Sequence, residues 1–133
     1  MAEPVTGRCL CGAVRYRTEG PQAWTALCHC ESCRRACSAP IVAWMGFPVE
    51  TVHWEGERAF YQSSEIATRG FCPKCGTQMS FESTRWPGEL HLYGVSRDEP
   101  ADYAPDLHCH YGERLEWLHM SDDLQKHPGS AEL

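Results

Sequence analysis

Nine cysteines stand in a chain of 133 residues, and eight of them fall in three clusters. These are Cys9-Leu-Cys11-Gly12, Cys28-His-Cys30-Glu-Ser-Cys33 with Cys37 four residues further on, and Cys72-Pro-Lys-Cys75-Gly76. Only Cys109 stands apart in sequence. Thiolates at such spacings are soft ligands suited to zinc. Cys72 and Cys75 have the tight-turn spacing of a zinc knuckle, in which Gly76 can take a positive φ and let backbone N–H groups turn toward the sulfurs. A Cys-x-Cys pair is geometrically harder. Zinc–sulfur bonds of about 2.3 Å at tetrahedral angles place two sulfurs about 3.8 Å apart, whereas residues i and i+2 of an ideal strand lie about 6.6 Å apart. The chain must bend at such a pair, and Gly12 eases the bend after Cys11.

Structural zinc sites are closed by four protein ligands, while catalytic sites keep three and leave one position for water or substrate. Two pairs fit the first pattern, so Cys9, Cys11, Cys72 and Cys75 are assigned to a structural zinc that staples the N-terminal segment to the middle of the chain. Cys28, Cys30 and Cys33 supply three further thiolates, which balance a divalent cation to a net −1. A fourth position left open there could take a thiol, water or carbonyl oxygen. On spacing alone, the same three could equally form an inert staple closed by Cys37 or by one of His29, His53, His108, His110 and His119. An iron–sulfur cluster is disfavoured because Cys-x-Cys-x-x-Cys lacks the ferredoxin spacing.

These ligands need a scaffold, and the rest of the chain indicates its type. Eleven Gly and nine Pro punctuate short runs with period-two alternation or β-branched and aromatic content. The runs are 13–17, 41–44, 51–54, 59–62, 78–81, 90–95, 107–111 and 115–119, so the chain reads as mainly β. A helix of one or two turns is expected after Cys33, around 34–36, with Pro40 stopping it. The expected organisation is one zinc-stapled domain over 1–127 and a flexible C-terminal tail over 128–133, where Pro128-Gly129 breaks regular structure.

Twelve Lys plus Arg against eighteen Asp plus Glu give a formal charge of −6, which repels a phosphate backbone and argues against nucleic acid as a partner. The longest uncharged stretch, 36–49, is too short to span a bilayer and is interrupted by Pro40, Gly46 and Pro48, so no membrane crossing is expected. The start of the chain shows neither a basic nor an apolar segment of the export type. A reducing cytoplasm is the expected location, where clustered cysteines bind metal more often than they form disulfides.

Three stretches together resemble the glutathione-dependent formaldehyde-activating enzymes, a family whose relatives include centromere protein V. They are Gly7-Arg-Cys-Leu-Cys-Gly-Ala-Val-Arg-Tyr16, Cys28-His-Cys-Glu-Ser-Cys-Arg-Arg35 and Arg69-Gly-Phe-Cys-Pro-Lys-Cys-Gly-Thr77. A looser tail runs from Pro105 through His108 and Trp117 to Asp123. The resemblance implies a compact β structure of the Mss4-like type with two zinc ions per chain. It places Cys9, Cys11, Cys72 and Cys75 at the structural metal, and Cys28, Cys30 and Cys33 at the catalytic one. The implied activity is that of a carbon–sulfur lyase run toward synthesis, joining glutathione or a similar thiol to formaldehyde or another small aldehyde. The chain departs from the family pattern at Ser38, where members usually carry Gly, and at Cys37, which is not a usual family residue. Packing as a small hydrophobe is the expected role of Cys37.

On that resemblance, an acidic protein needs local cations to receive an anionic thiol, and Arg34, Arg35 and Arg69 beside the clusters are the candidate carboxylate anchors. Surface pairing of these arginines with Glu31, Glu65 or Glu82 is the competing expectation. His108 matches a recurrent histidine of the family and is the candidate for proton transfer. His29 points away from its flanking ligands if that segment is extended. Trp44, Trp54, Trp86 and Trp117 are candidates for walling a pocket, or simply for core. The non-catalytic alternative is a zinc-stapled module that binds another protein through an edge strand or aromatic patch.

Overall fold

The computed structural model describes residues 3–131. The described residues form eleven strands and one α-helix in the order β1 (Thr6–Arg8), β2 (Arg15–Thr18), β3 (Trp24–Cys28), α1 (Glu31–Cys37), β4 (Val42–Pro48), β5 (Val52–Glu55), β6 (Ala59–Gln62), β7 (Ala67–Phe71), β8 (Gln78–Ser83), β9 (Glu89–Tyr93), β10 (Leu107–Cys109) and β11 (Gln125–Lys126). Strands β1, β2 and β5 make a small antiparallel sheet. The other eight make a large sheet in the order β11-β10-β3-β4-β9-β8-β7-β6, antiparallel except where β10 runs parallel to both β3 and β11.

The main core lies between the two sheets. Met45 and Phe47 of β4, with Leu90 and Leu92 of β9, meet Tyr16 and Val52 of the small sheet. Successive strand residues point to opposite faces, so the alternate residues of β4 and β9, Val42, Trp44, His91 and Tyr93, face the other way. A β-bulge on β8 makes Met79 the extra residue between the Phe71↔Gln78 and Gly70↔Ser80 pairs. The bulge turns Met79 into the inter-sheet core, while Phe81 keeps to the opposite face. On that opposite face, Cys28, Cys33, Val42, Trp44 and Tyr93 form a second buried cluster.

The mainly β expectation holds, with corrections in detail. The run 115–119 is not a strand; Leu118 N–H donates to the Leu115 carbonyl in a turn. Helix α1 starts before Cys33, because the Cys30 side chain caps it by accepting from the Cys33 N–H at 3.4 Å. Strands β3 and β7 carry no clean alternation and were not expected. Both are buried over most of their length, which erases the period-two signal. Of the expected tail, 132–133 lie outside the described residues; the Pro128 and Gly129 carbonyls accept from the Gly112 and His110 N–H groups. Among the described residues, no helix is long and apolar enough to cross a membrane.

Candidate functional site

Two knuckle-like turns bring Cys9, Cys11, Cys72 and Cys75 together at the edge of the inter-sheet core. The turn after β1 closes with Cys9 N–H donating to the Val14 carbonyl and Gly12 at φ 81°, and the turn after β7 closes with Gly76 N–H on the Cys72 carbonyl and Gly76 at φ 79°. Both glycines sit where a side chain would be strained, and each turn aims backbone N–H groups at sulfur. Val14 N–H lies 3.3 Å from Cys9 Sγ, and the Lys74 and Cys75 N–H groups lie 3.4 and 3.5 Å from Cys72 Sγ. The Sγ atoms of Cys9, Cys11, Cys72 and Cys75 all lie within 4.8 Å of one another. Cys9–Cys11 and Cys11–Cys72 are 3.7 and 3.8 Å apart, which matches the spacing of two thiolates on one tetrahedral zinc. Such N–H groups favour the thiolate form. The Cys75 thiol is lowered to about 5, chiefly by the Thr77 hydroxyl at 3.1 Å.

The second group is built at the end of β3. Cys28 is the last residue of that strand, Cys30 caps α1, and Cys33 lies in its first turn, three residues on and therefore on the same side. Their three Sγ atoms lie within 4.8 Å of one another. The Cys33 thiol is pushed up to about 12, first by the Cys28 side chain, and the Cys28 thiol is pushed up by Cys109 and then by Cys30. Three sulfurs this close resist sharing negative charge, and a divalent cation among them removes that penalty. Both groups of cysteines can therefore hold a metal, and their donor chemistry and spacing fit zinc.

The two groups differ in what they face. Cys28, Cys30 and Cys33 line a cavity of about 1130 Å³, and none of Cys9, Cys11, Cys72 and Cys75 does. Cys37 lies outside the converging trio and packs against the second buried cluster. Cys109 is the neighbour that sequence spacing conceals. It pairs with Cys28 in the parallel register of β10 and β3, and it lines the same cavity. No linear motif announces this contact, since a parallel pairing joins segments about 80 residues apart only through the tertiary fold.

The arginines separate sharply. Arg69 is 5% exposed, lines the cavity, and donates from Nη2 to Cys33 Sγ at 3.9 Å, with its guanidinium over the Phe81 ring. Burial is the largest single influence and works against its charge, but Cys33 and Tyr93 together outweigh it and raise the pKa. Its Nη1 is buried without a hydrogen-bond partner. Arg35 lies at the cavity rim and pairs with Glu31 at 2.7 Å. Arg34 is not brought to the cavity; its Nε and Nη2 donate to the carbonyls of His29 and Glu113, tying α1 to the 111–113 turn.

His108 is fully buried and does not line the cavity. Its Nδ1 lies 2.8 Å from His29 Nε2 and its Nε2 lies 3.0 Å from Asp122 Oδ2, a chain that runs from the buried His29 and His108 out to exposed Asp122. Burial, and then the neighbouring His108, hold His29 at about 4, so it is neutral near pH 7. Of the expected pocket aromatics, Trp44 and Trp86 line the cavity. Trp54 packs on Tyr16 in the small sheet and Trp117 is largely exposed. Trp24, Phe81 and His91, singled out by no motif, line it as well.

A family model described as glutathione-dependent formaldehyde-activating enzyme matches residues 4–113. An uncharacterized lyase of Schizosaccharomyces pombe is 36% identical over 78 residues, covering 59% of this chain and 57% of that protein. The match therefore spans just over half the length of that relative. A Halomonas elongata protein, whose name assigns it provisionally to the same enzyme type, is 25% identical over 129 residues, covering 90% of this chain and 82% of its own length. A Rhodobacter sphaeroides protein of known crystal structure superposes with a TM-score of 0.59 at 21% identity, over 75% of this chain and 97% of that one. That last likeness supports the fold alone.

Proposed function

Because the chain belongs to the glutathione-dependent formaldehyde-activating enzyme family, we propose that it is a zinc-dependent carbon–sulfur lyase that adds glutathione or a similar thiol to an aldehyde at Cys28, Cys30 and Cys33. The observation that carries this reading is the contrast between the two groups of cysteines: none of the four lines the cavity, and the three converge on its wall. In this reading the quartet holds a structural zinc and the trio holds a second one. Zinc at the trio supplies Lewis acidity that favours the anion of a bound thiol and polarises a carbonyl.

The chain's own groups fit that chemistry. Three thiolates leave a divalent site with an excess negative charge, and Arg69 beside Cys33 offsets it. The same guanidinium keeps one N–H group without a protein partner, suited to an oxygen that gains charge as the carbonyl is attacked. Cys28 and Cys33 are themselves buried, at 3% and 7% exposed, and electrostatic effects are stronger at buried groups than in bulk water. Arg35 at the rim is the carboxylate anchor for an anionic thiol, and its pairing with Glu31 at the exposed surface is weak enough to exchange. His108 sits one residue behind the wall and acts on the site through His29 by fixing the Cys28–Cys30 segment.

The test is to titrate the two-zinc protein with glutathione and ¹³C-labelled aldehydes and to follow hemithioacetal formation by NMR. Thiol-dependent acceleration over the protein-free rate is expected, and it is lost in Cys33→Ser. No acceleration with any aldehyde would remove the enzymatic reading. The exposed Phe60 and Tyr61 on edge strand β6 favour a second reading, a zinc-stapled module that binds a partner by strand addition.

A further inference from the structure

The floor of the cavity is a single cross-strand row. Arg69 of β7 pairs with Phe81 of β8, Phe81 with His91 of β9, His91 with Gly46 of β4, and Gly46 with Trp24 of β3. Side chains opposite one another on neighbouring strands stack on one face, so this row forms a continuous shelf. Gly46 is what keeps the shelf intact. A Cβ there would come within 2.2 Å of the Trp24 indole, so only glycine lets that ring lie across β4 and reach His91, with centroids 4.7 Å apart. Phe81 and Trp86 stand 5.6 and 5.3 Å from the same imidazole, and Trp44 stands 5.6 Å from Phe81.

Beyond Arg69, the shelf is mainly aromatic. Trp24 Nε1 and His91 Nε2 both lie 3.1 Å from Glu89 Oε1, so the indole N–H and one imidazole nitrogen are engaged by a single carboxylate. Trp24, Phe81 and Trp86 are each only partly buried, unlike core aromatics, which close on one another. The shelf is continuous with the trio, since Cys28 and Cys33 line the same space. Its volume of about 1130 Å³ exceeds what a one-carbon aldehyde needs by more than an order of magnitude. Glutathione is a charged peptide, and its carboxylates match the arginine rim rather than a shelf of indole and phenyl rings.

We propose that this shelf receives a bulky apolar group, so that the carbonyl substrate is an aromatic or branched-chain aldehyde, a specificity set by Trp24, Phe81 and Trp86. The proposal rests on the reading of the trio as the reacting centre. The reaction balances without an added oxidant or reductant: the thiol sulfur bonds to the carbonyl carbon, the C=O π pair passes to oxygen, and the thiol proton ends on that oxygen as a hydroxyl.

The experiment is calorimetric titration of the two-zinc protein with three unreactive probes: S-methylglutathione, S-benzylglutathione and benzyl alcohol. The two thioethers differ only in the group that would lie on the shelf. S-benzylglutathione is expected to bind at least about tenfold tighter than S-methylglutathione. Trp86→Ala, in the hairpin after β8 and outside the buried clusters, and Phe81→Ala should each bring its affinity down toward that of the methyl compound. Equal affinities, or a benzyl preference untouched by both substitutions, would overturn the proposal. Were neither thioether to bind while benzyl alcohol bound in a Trp86-dependent way, the apolar shelf would stand and the glutathione reading would fall. Absence of binding by both benzyl probes would overturn the shelf itself.

Discussion

His91 shows how a single side chain links packing to chemistry. It lies at the centre of four aromatic rings and is 6% exposed, and burial lowers its pKa below the ordinary value near 6.5, with Glu89 only partly offsetting the effect. A histidine with a lowered folded pKa takes up its proton more readily in the unfolded chain, so stability is full above about pH 6.5 and falls as the pH drops below it. The melting temperature is therefore expected to fall between pH 7 and pH 5.5. His91→Gln should flatten part of that slope, with the part due to His29 remaining. An unchanged slope would contradict the burial-driven shift. Little of this was legible in the sequence, because a histidine between two leucines carries no sign of what stacks on it. The cysteines were legible for the opposite reason: metal ligation restricts which residue types can serve, and tight turns restrict their spacing. Cys109 was not, since its closeness to Cys28 exists only once β10 lies beside β3.

At the scale of elements, helix α1 is the piece that sets the trio, and its end carries a measurable strain. Ser38 closes the helix in the left-handed conformation, with φ 49° and ψ 46°, its N–H serving the carbonyls of Arg34 and Arg35. Glycine is the residue that adopts this cap without steric penalty, and glycine is what the family usually carries there. Ser38→Gly is expected to stabilise the protein by about 0.5–1 kcal/mol, read as a small rise in melting temperature with unchanged zinc content. A loss of stability would show that the serine side chain contributes something beyond the cap. The departure at Ser38 was visible in the sequence; its meaning needed the backbone angle. The element pattern was readable where strands are half exposed, as in β5 and β6, and hidden where they are buried on both faces, as in β3. The run 115–119 misled because its composition suits a strand, yet the chain there turns back on itself, with Leu118 N–H on the Leu115 carbonyl.

Over the whole molecule, one group of cysteines converges where turns from the two sheets meet, and the other lines a cavity on the far face of the large sheet. The division of seven cysteines into a quartet and a trio follows from pairing knuckle with knuckle, which spacing alone suggested. The cavity did not follow, because its shelf draws on five strands and on a glycine whose role is to have no side chain. In the proposed reaction the trio keeps one coordination position free for an external thiol. X-ray absorption at the zinc edge, on protein carrying two zincs per chain, tests it most directly. The expected result is an average of about 3.5 sulfur neighbours per zinc, rising to about 4 on addition of glutathione. An average of four sulfurs before any thiol is added, unchanged afterwards, would mean that the polypeptide closes both sites and leaves a thiol substrate nowhere to bind.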